Sequence, residues 1–530
     1  MAGKSFFRGL IASIAFAGVA ASAAQAQLTH LWHYEGQVSG SNWRSVAVGA
    51  SGSQIVSNPN GGSGAVALLA GSEVPTSPLI WADNASASAR TGLVRAAADS
   101  DAYASLYFEN VSSSAGSHFT PKLTLRRSSS PTAVWTKTFN PITAVPESLA
   151  ASVHVAASGA RIFAWWWDIS LARCFFVSYS DAGALNFAVS VAMPIPPQAS
   201  AANIDASRLF VVCSTTTLVL DGATGAIVKT IGSWYSPSAA FAIDQSGNCA
   251  VIGNWSGAVD VYRTGTTLLA GAYTVPAIGT QSPRKAALSS DGTTLVVGYR
   301  SSDNSFSWTI RVFTLGVSSA TQVYESTLVG SGAFTTLITD IVESSSGDTI
   351  AVSTSGDELH TVPSLLVLKR NGAGYSLVST HTLPGSVYDL DISPNGRLLA
   401  VASSLAHYQA STQTGVVDAF DLGGDLSVNG IPHAGTSVVV EQECTVGLPC
   451  MLLVSDALAT SPIVYPGMGS LLLATPVRLA TAIAEADGVA RFNFTLPNSV
   501  ASYGHTYYTQ GLSLIQRKLT TSYAPITVVP

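Results

Sequence analysis

Two histidines lie close to potential acid–base partners: His360 in "DELHT" (357–361) and His407 in "SLAHYQ" (404–409). A histidine beside a carboxylate is the smallest unit of general acid–base catalysis. No recognised catalytic frame surrounds either one. There is no G-x-S-x-G nucleophile elbow and no H-E-x-x-H, and "DELHT" lacks zincin spacing. "SSDGTT" (289–294) approaches a sialidase Asp-box, but its aspartate and glycine are adjacent where that motif separates them. No phosphate-cradling glycine loop and no EF-hand loop occurs, and no cysteine pair has metal-ligand spacing. A quinone cofactor would need a stacking tryptophan and metal-binding acids, which cannot be assigned to positions. No cofactor or metal is therefore expected, and no catalytic residue can be assigned. The chain reads as a non-enzyme, against the rival of a propeller hydrolase, lactonase-like or glycan-active, using His360 or His407.

Recognition is the other chemistry on offer. Trp234, Tyr235, Trp255, Arg300 and His407 sit in stretches that read as loops, and they combine stacking area with hydrogen-bonding and cationic groups. Trp43, Arg44, Trp167, Asp168, Asn254, Asp303, Asp357 and Tyr408 fall in the same loop classes. Packing is the commoner use of any single tryptophan. In "AWWWD" (164–168) alternate side chains must face opposite ways, so at least one tryptophan there belongs to a core.

The elements that would carry these loops follow from a repeat. "DISPNGRLLAVAS" (391–403) is a turn between two apolar runs, and it recurs as "ALSSDGTTLVVG" (287–298), "AIDQSGNCAVIG" (242–253) and "SSSGDTIAVS" (344–353). Aligned on the turn, the anchors are Gly52, Asp101, Gly159, Arg208, Gly247, Gly292, Gly347 and Gly396, about 49 residues apart, a period typical of propellers and solenoids. Downstream, each copy has a period-two strand, such as "WTIRVFTLG" (308–316) or "GVVDAFDLG" (415–423), and often a fourth. Four strands per repeat without helical periodicity predict an all-β fold of radially stacked antiparallel sheets, a β-propeller. Eight anchors give eight blades; seven is the alternative, because the copy at Asp101 is poorly formed. The last copy supplies three strands, and "LTHLWHYE" (28–35) precedes the first copy as a lone strand, so pairing the two would close the ring and hide an edge.

"SPNGRLLAVAS" resembles the repeat of secreted bacterial WD40-like and quinoprotein-like propellers. "VLDGATGAIVKTI" (219–231) is similar to a quinoprotein strand pair, without its tryptophan. The resemblance spans roughly residues 28–424 and implies fold rather than activity. After Gly424 the rhythm changes to strands with Gly, Pro and Asn turns, which suit a sandwich of about 100 residues. This tail resembles, through "ADGVA" (486–490), "LPN" (496–498) and "YYTQ" (507–510), a C-terminal β-sandwich (Ig-like) that recurs on secreted proteins of some environmental bacteria. The domain reading is 1–26 signal peptide, 27–424 propeller and 425–530 sandwich.

The first segment rests on Lys4 and Arg8, an apolar run from Leu10 to Ala21, and small residues at "AQA" before a cut after Ala26. The run is too short for a membrane span, and Pro476 and Arg478 interrupt the best later candidate. The expected location is secreted, periplasmic or cell-surface. Of 25 basic residues, 23 remain after cleavage against 31 acidic ones, a net charge near −8. Charged residues are 11% of the chain, well under the usual quarter, which excludes a phosphate-backbone partner. Cys444 and Cys450 flank a turn-like segment: they either close a small disulfide loop or stay free, while Cys174, Cys213 and Cys249 read as core. The functional reading is an exported monomeric binding or scaffold module for a protein, peptide or carbohydrate, with no nucleic acid and no membrane span. A structural envelope protein, attached through the sandwich, is a further alternative.

Overall fold

The computed structural model describes residues 29–35, 42–49, 54–60, 66–70, 79–83, 89–97, 100–113, 116–143, 151–232, 240–254, 256–263, 271–277, 281–301, 307–331, 337–359, 361–371, 374–393, 396, 398–405, 415–422, 426–429, 435, 437–443, 447–465, 469–484, 489–496, 506–515, 518–520 and 524–527. Among them, eight four-stranded antiparallel sheets occupy residues 29–421. In chain order their inner strands are Asn42–Val48, Ala89–Ala96, Ala151–Val155, Ala199–Ala202, Phe241–Ile243, Gln281–Leu288, Ile338–Glu343 and Val387–Ile392. These inner strands touch in that order, and the eighth touches the first, so the sheets form a closed ring. Residues 426–527 form further sheets. Val438, Val440 and Phe492 on one of them and Cys450 and Leu452 on another share one core, so the two sheets pack face to face. The chain is a β-propeller followed by a β-sandwich.

Hydrophobic alternation puts each core between neighbouring sheets rather than within one. Trp165, Phe163 and Phe176 of the third sheet pack with Leu209, Val211 and Leu220 of the fourth. Trp166, facing the other way, joins Leu106, Phe108 and Leu125 of the second. The run of tryptophans thus wedges sheets apart on both sides, as strand alternation requires.

The repeated turn has a physical basis at each position. Its first residue caps it: Ser289 Oγ accepts the Thr294 N–H at 2.8 Å, Asp244 Oδ1 that of Cys249 at 2.9 Å, and Ser393 Oγ that of Leu398 at 2.9 Å. Three residues on, Gly396 has φ +71° and donates its N–H back to Ser393 O at 2.8 Å. A Cβ there would also come within 2.9 Å of Ser344, the cap of the preceding sheet's turn. The glycine serves the turn and the contact between sheets together. Two anchors need correction. In the fourth sheet the equivalent residue is Ala206, not Arg208, which already lies in the strand Arg208–Val212. Ala206 holds φ +50°, with the Asn203 and Asp205 side chains taking the Arg208 and Ser207 N–H groups. In the second sheet the position falls on Ser100 rather than Asp101, since Ala97 N bonds Ala102 O as the other caps bond five residues ahead.

The N-terminal strand Thr29–Glu35 pairs antiparallel with Gly415–Asp421 as the outer strand of the eighth sheet. His33 Nδ1 lies 2.8 Å from Oδ1 of Asp418, whose side chain is 3% exposed. The two ends of the ring therefore meet within one sheet.

Candidate functional site: the channel belt and the loop face

An inner strand has one neighbour in its own sheet, so its other edge carries unpaired N–H groups towards the axis of the ring. Side chains of the preceding inner strand accept several of them. Asp340 Oδ2 takes the Leu390 N–H at 3.3 Å, Asp389 Oδ2 that of Val46 at 2.9 Å, and Asp391 Oδ2 that of Val48 at 2.7 Å. Ser45 Oγ does the same for Val94 at 3.3 Å. Two cations complete the belt. Arg95 Nη1 lies 3.5 Å from Asp389 Oδ2, reaching past the first sheet to the eighth, and Lys285 Nζ lies 3.9 Å from Asp340 Oδ1. His154 Nε2 meets Ser200 Oγ at 2.8 Å, and the Trp165 indole donates to the same oxygen at 2.8 Å.

Burial dominates the electrostatics. It pushes Asp391 up to about 6, against the opposing pull of the Val48 N–H and Arg95. It also raises Asp389, with Arg95 opposing and Asp340 adding to the rise. Burial and then Arg95 bring His154 down to about 3, so its imidazole is neutral at neutral pH. Burial disfavours the charge on Arg95, but Asp389, Asp391 and Asp340 outweigh it and raise its pKa. Three carboxylates do converge in the channel, yet each is occupied by a backbone N–H of the next strand. Among the described residues no three His, Cys, Asp or Glu side chains are placed to hold a metal ion. The sequence signal for this belt is a polar residue two or four positions before the turn cap, as in Asp389 and Asp391 before Ser393, Asp340 before Ser344, Lys285 before Ser289 and Ser152 and His154 before Ala156.

Of the five recognition candidates, only Arg300 lies within the described residues. It is exposed at the end of the strand Thr294–Ser301, with Arg284 close enough for the like charge to add to burial in lowering the Arg284 pKa. Trp234, Tyr235, Trp255 and His407 lie outside the described residues, as do His360, Asp303 and Tyr408. Several other loop residues are turn caps rather than free ligand groups. Asp168, 3% exposed, takes Ser170 N at 2.9 Å and Ser170 Oγ at 2.6 Å. Asn254 takes Ser256 N at 3.0 Å and Ala258 N at 3.2 Å. Asp357 accepts from Ser331 N and Val362 N, both at 2.9 Å, and from the hydroxyls of Ser331 and Thr361. Burial alone would raise Asp357; those donors outweigh it and hold its pKa well below the usual carboxylate range. Trp43 and Arg44 belong to the inner strand Asn42–Val48, not to a loop leading into it. Cys450 is disulfide-bonded, Cys444 lies outside the described residues, and Cys174, Cys213 and Cys249 are free thiols.

Sequence reasoning missed an apolar patch on the same face. Ile169 and Leu171, on the turn between the second and third strands of the third sheet, are 58% and 56% exposed, and Ile195, entering the fourth sheet, is 48% exposed. The two loops are tied together: Met193 N donates to Ala172 O at 2.8 Å, and the Trp167 indole donates to Met193 O at 2.9 Å. Ala172 takes φ +47° to make that turn.

No protein-family model matches the chain, and no curated protein matches it in sequence. Among solved structures it is similar to the hydrazine synthase of Kuenenia stuttgartiensis, at 18% identity over 48% of this chain and 74% of that one, with a TM-score of 0.35. It is also similar to the Cps50 (Swd1) β-propeller domain of Myceliophteria thermophila, at 13% identity over 74% of this chain and 99% of that one, with a TM-score of 0.38. No helix among the described residues is long and apolar enough to cross a membrane.

Proposed function

We propose that the chain is an exported, eight-bladed, non-enzymatic propeller that binds a protein, peptide or carbohydrate through its loop face. On this reading residues 1–26 are removed, residues 27–424 form the binding unit, and the sandwich of residues 425–530 presents or attaches it. The quinoprotein-like and secreted bacterial character belongs to the same proposal. The observation that carries it is the patch of Ile169, Leu171 and Ile195: exposed aliphatic groups on loops pinned by the Trp167 and Met193 bonds. Apolar area held out in a fixed shape has little ordering entropy left to lose on binding. Arg300 adds a cationic contact to the same class of loop.

The test is a peptide and glycan array probed with the full chain, an Ile169→Asp/Leu171→Asp variant and Arg300→Ala. Binding that the double variant loses while its melting temperature holds supports the reading; binding unchanged in both variants refutes it.

The hydrolase reading keeps one observation in its favour. Asp391 is pushed up to about 6 beside a second raised carboxylate, and perturbed pairs near neutrality gather at catalytic sites. Lactone or glycoside turnover abolished by Asp391→Asn in a folded protein would move the assignment to the channel.

A further inference from the structure

Three sulfur atoms share one apolar core at the junction of the third and fourth sheets. Cys174 and Met193 are buried there, and Cys213 packs against the same core half-buried. Cys213 Sγ lies 3.9 Å from Met193 Sδ. Cys174 lies opposite Val191 in the third sheet, two residues before Met193, so its side chain and that of Met193 enter the same core. Met193 has its backbone fixed on both sides, by Ala172 O and by the Trp167 indole. Cys213 follows the strand Arg208–Val212 and donates its N–H to Thr216 O at 2.7 Å, so a hairpin holds it at the more open end of the core.

We propose that Cys174, Cys213 and Met193 form a binding site for one soft monovalent metal ion, Cu(I) by preference. Thiolates and thioethers are the donors that select Cu(I), whereas zinc sites take four ligands, often including imidazole or carboxylate. Two sulfurs bound to one metal at about 2.3 Å, at a trigonal or tetrahedral angle, stand about 3.8–4.0 Å apart, which is the separation found for Cys213 and Met193. Cu(I) replaces the protons of both cysteines, because the thiolate and not the thiol is the metal ligand; the two protons leave to solvent, and the Met193 thioether adds a lone pair. The linear sequence hides the set, because its members come from three different strands or loops and no two have metal-ligand spacing.

The full chain, reduced and handled without oxygen, is titrated with Cu(I) against a chromophoric Cu(I) chelator. One equivalent should bind, with sulfur as the only scatterer at about 2.3 Å in X-ray absorption. Cys213→Ser should weaken uptake at least 100-fold and Met193→Leu, which keeps the volume, about 10-fold, equivalent to roughly 2.7 and 1.4 kcal/mol. A Cys444→Ser/Cys450→Ser variant should bind as before, which separates this site from the sandwich cysteines. Uptake below a tenth of an equivalent overturns the proposal, as does uptake that Cys213→Ser leaves unchanged in a protein with an unaltered melting temperature. A Cys174–Cys213 disulfide whose reduction yields no copper binding overturns it too.

Discussion

Asp391 on the inner strand of the eighth sheet accepts the N–H of Val48 on the inner strand of the first at 2.7 Å. Two residues before it, Asp389 does the same for Val46 at 2.9 Å. The place where the ring closes is thus stitched by side-chain carboxylates standing in for the backbone carbonyls that a fifth strand would supply. Removing such an acceptor leaves a strand edge unsatisfied beside a channel lined by charge, which is why these positions are polar in otherwise apolar strands.

This arrangement makes stability depend on pH in a definite direction. The folded pKa of Asp391, about 6, lies above the unfolded value of about 3.9, so the folded state holds more protons between those limits. The contribution of Asp391 to stability should be greatest below about pH 4, fall as pH rises towards 6, and level off above it. Asp389, also raised, adds a fall of the same sign. Asp391→Asn should flatten the curve while its amide oxygen still accepts the Val48 N–H. Asp391→Ala should cost about 1–3 kcal/mol at any pH, as expected for an unsatisfied donor. Urea unfolding at pH 4, 5, 6 and 7 checks both; a stability that rises with pH in the wild type but not in Asp391→Asn would contradict the assignment.

The turn position predicts a contrast between two residues. Gly396→Ala would be strained twice, by φ +71° and by the 2.9 Å approach to Ser344, and should cost more than about 1 kcal/mol. Ala206→Gly, at φ +50°, relieves the same backbone strain at a position that already bears a side chain. It should be neutral or stabilising by up to about 1 kcal/mol. Chemical unfolding of the two variants decides it, and equal losses in both would mean that the turn does not set the energy.

Much of the fold was legible because the turn chemistry repeats. A cap of Ser, Asp or Asn followed three residues later by Gly is a local solution, readable wherever it is written in full, as at Ser393 and Gly396. It fails where the backbone conformation persists without its usual residue: Ala206 keeps the left-handed turn with side-chain support from Asn203 and Asp205, while Arg208 already belongs to the strand that follows. The candidate site was less legible. Asp340, Asp389 and Asp391 look like ordinary polar members of alternating strands, and only the ring shows which backbone groups they meet. The exposed Ile169 and Leu171 carry no signal in the sequence, because single aliphatic residues in a turn look like any others, and Asp168 beside them is a turn cap.

Separation of the two units is testable by expression. The sandwich core draws on Val438, Val440, Cys450, Leu452 and Phe492, a cluster composed only of residues beyond 437. Residues 27–424 and 425–530 produced separately should each give a soluble product with a β-type circular dichroism spectrum and a cooperative melt. If neither melts cooperatively, the boundary near Gly424 is misplaced or the units depend on each other.

The strand that closes the ring offers the sharpest test of the architecture. Thr29–Glu35 is the outer strand of the eighth sheet, bonded along Gly415–Asp421, with Leu31 and Tyr34 packed on the core formed by Val46, Ala400 and Val417. Deleting residues 27–36 exposes that core and leaves a bare strand edge, which favours edge-to-edge association. The truncated chain should melt well below the chain of residues 27–530 and elute partly as aggregate in size-exclusion chromatography. His33→Ala is the milder version: it takes away the imidazole 2.8 Å from a carboxylate that is 3% exposed, and should cost about 1–3 kcal/mol without aggregation. The two changes act on the same seam, so His33→Ala should add little once the strand is weakened by a second substitution such as Leu31→Ala. A truncated chain that melts like the intact one would show that the ring is held shut elsewhere.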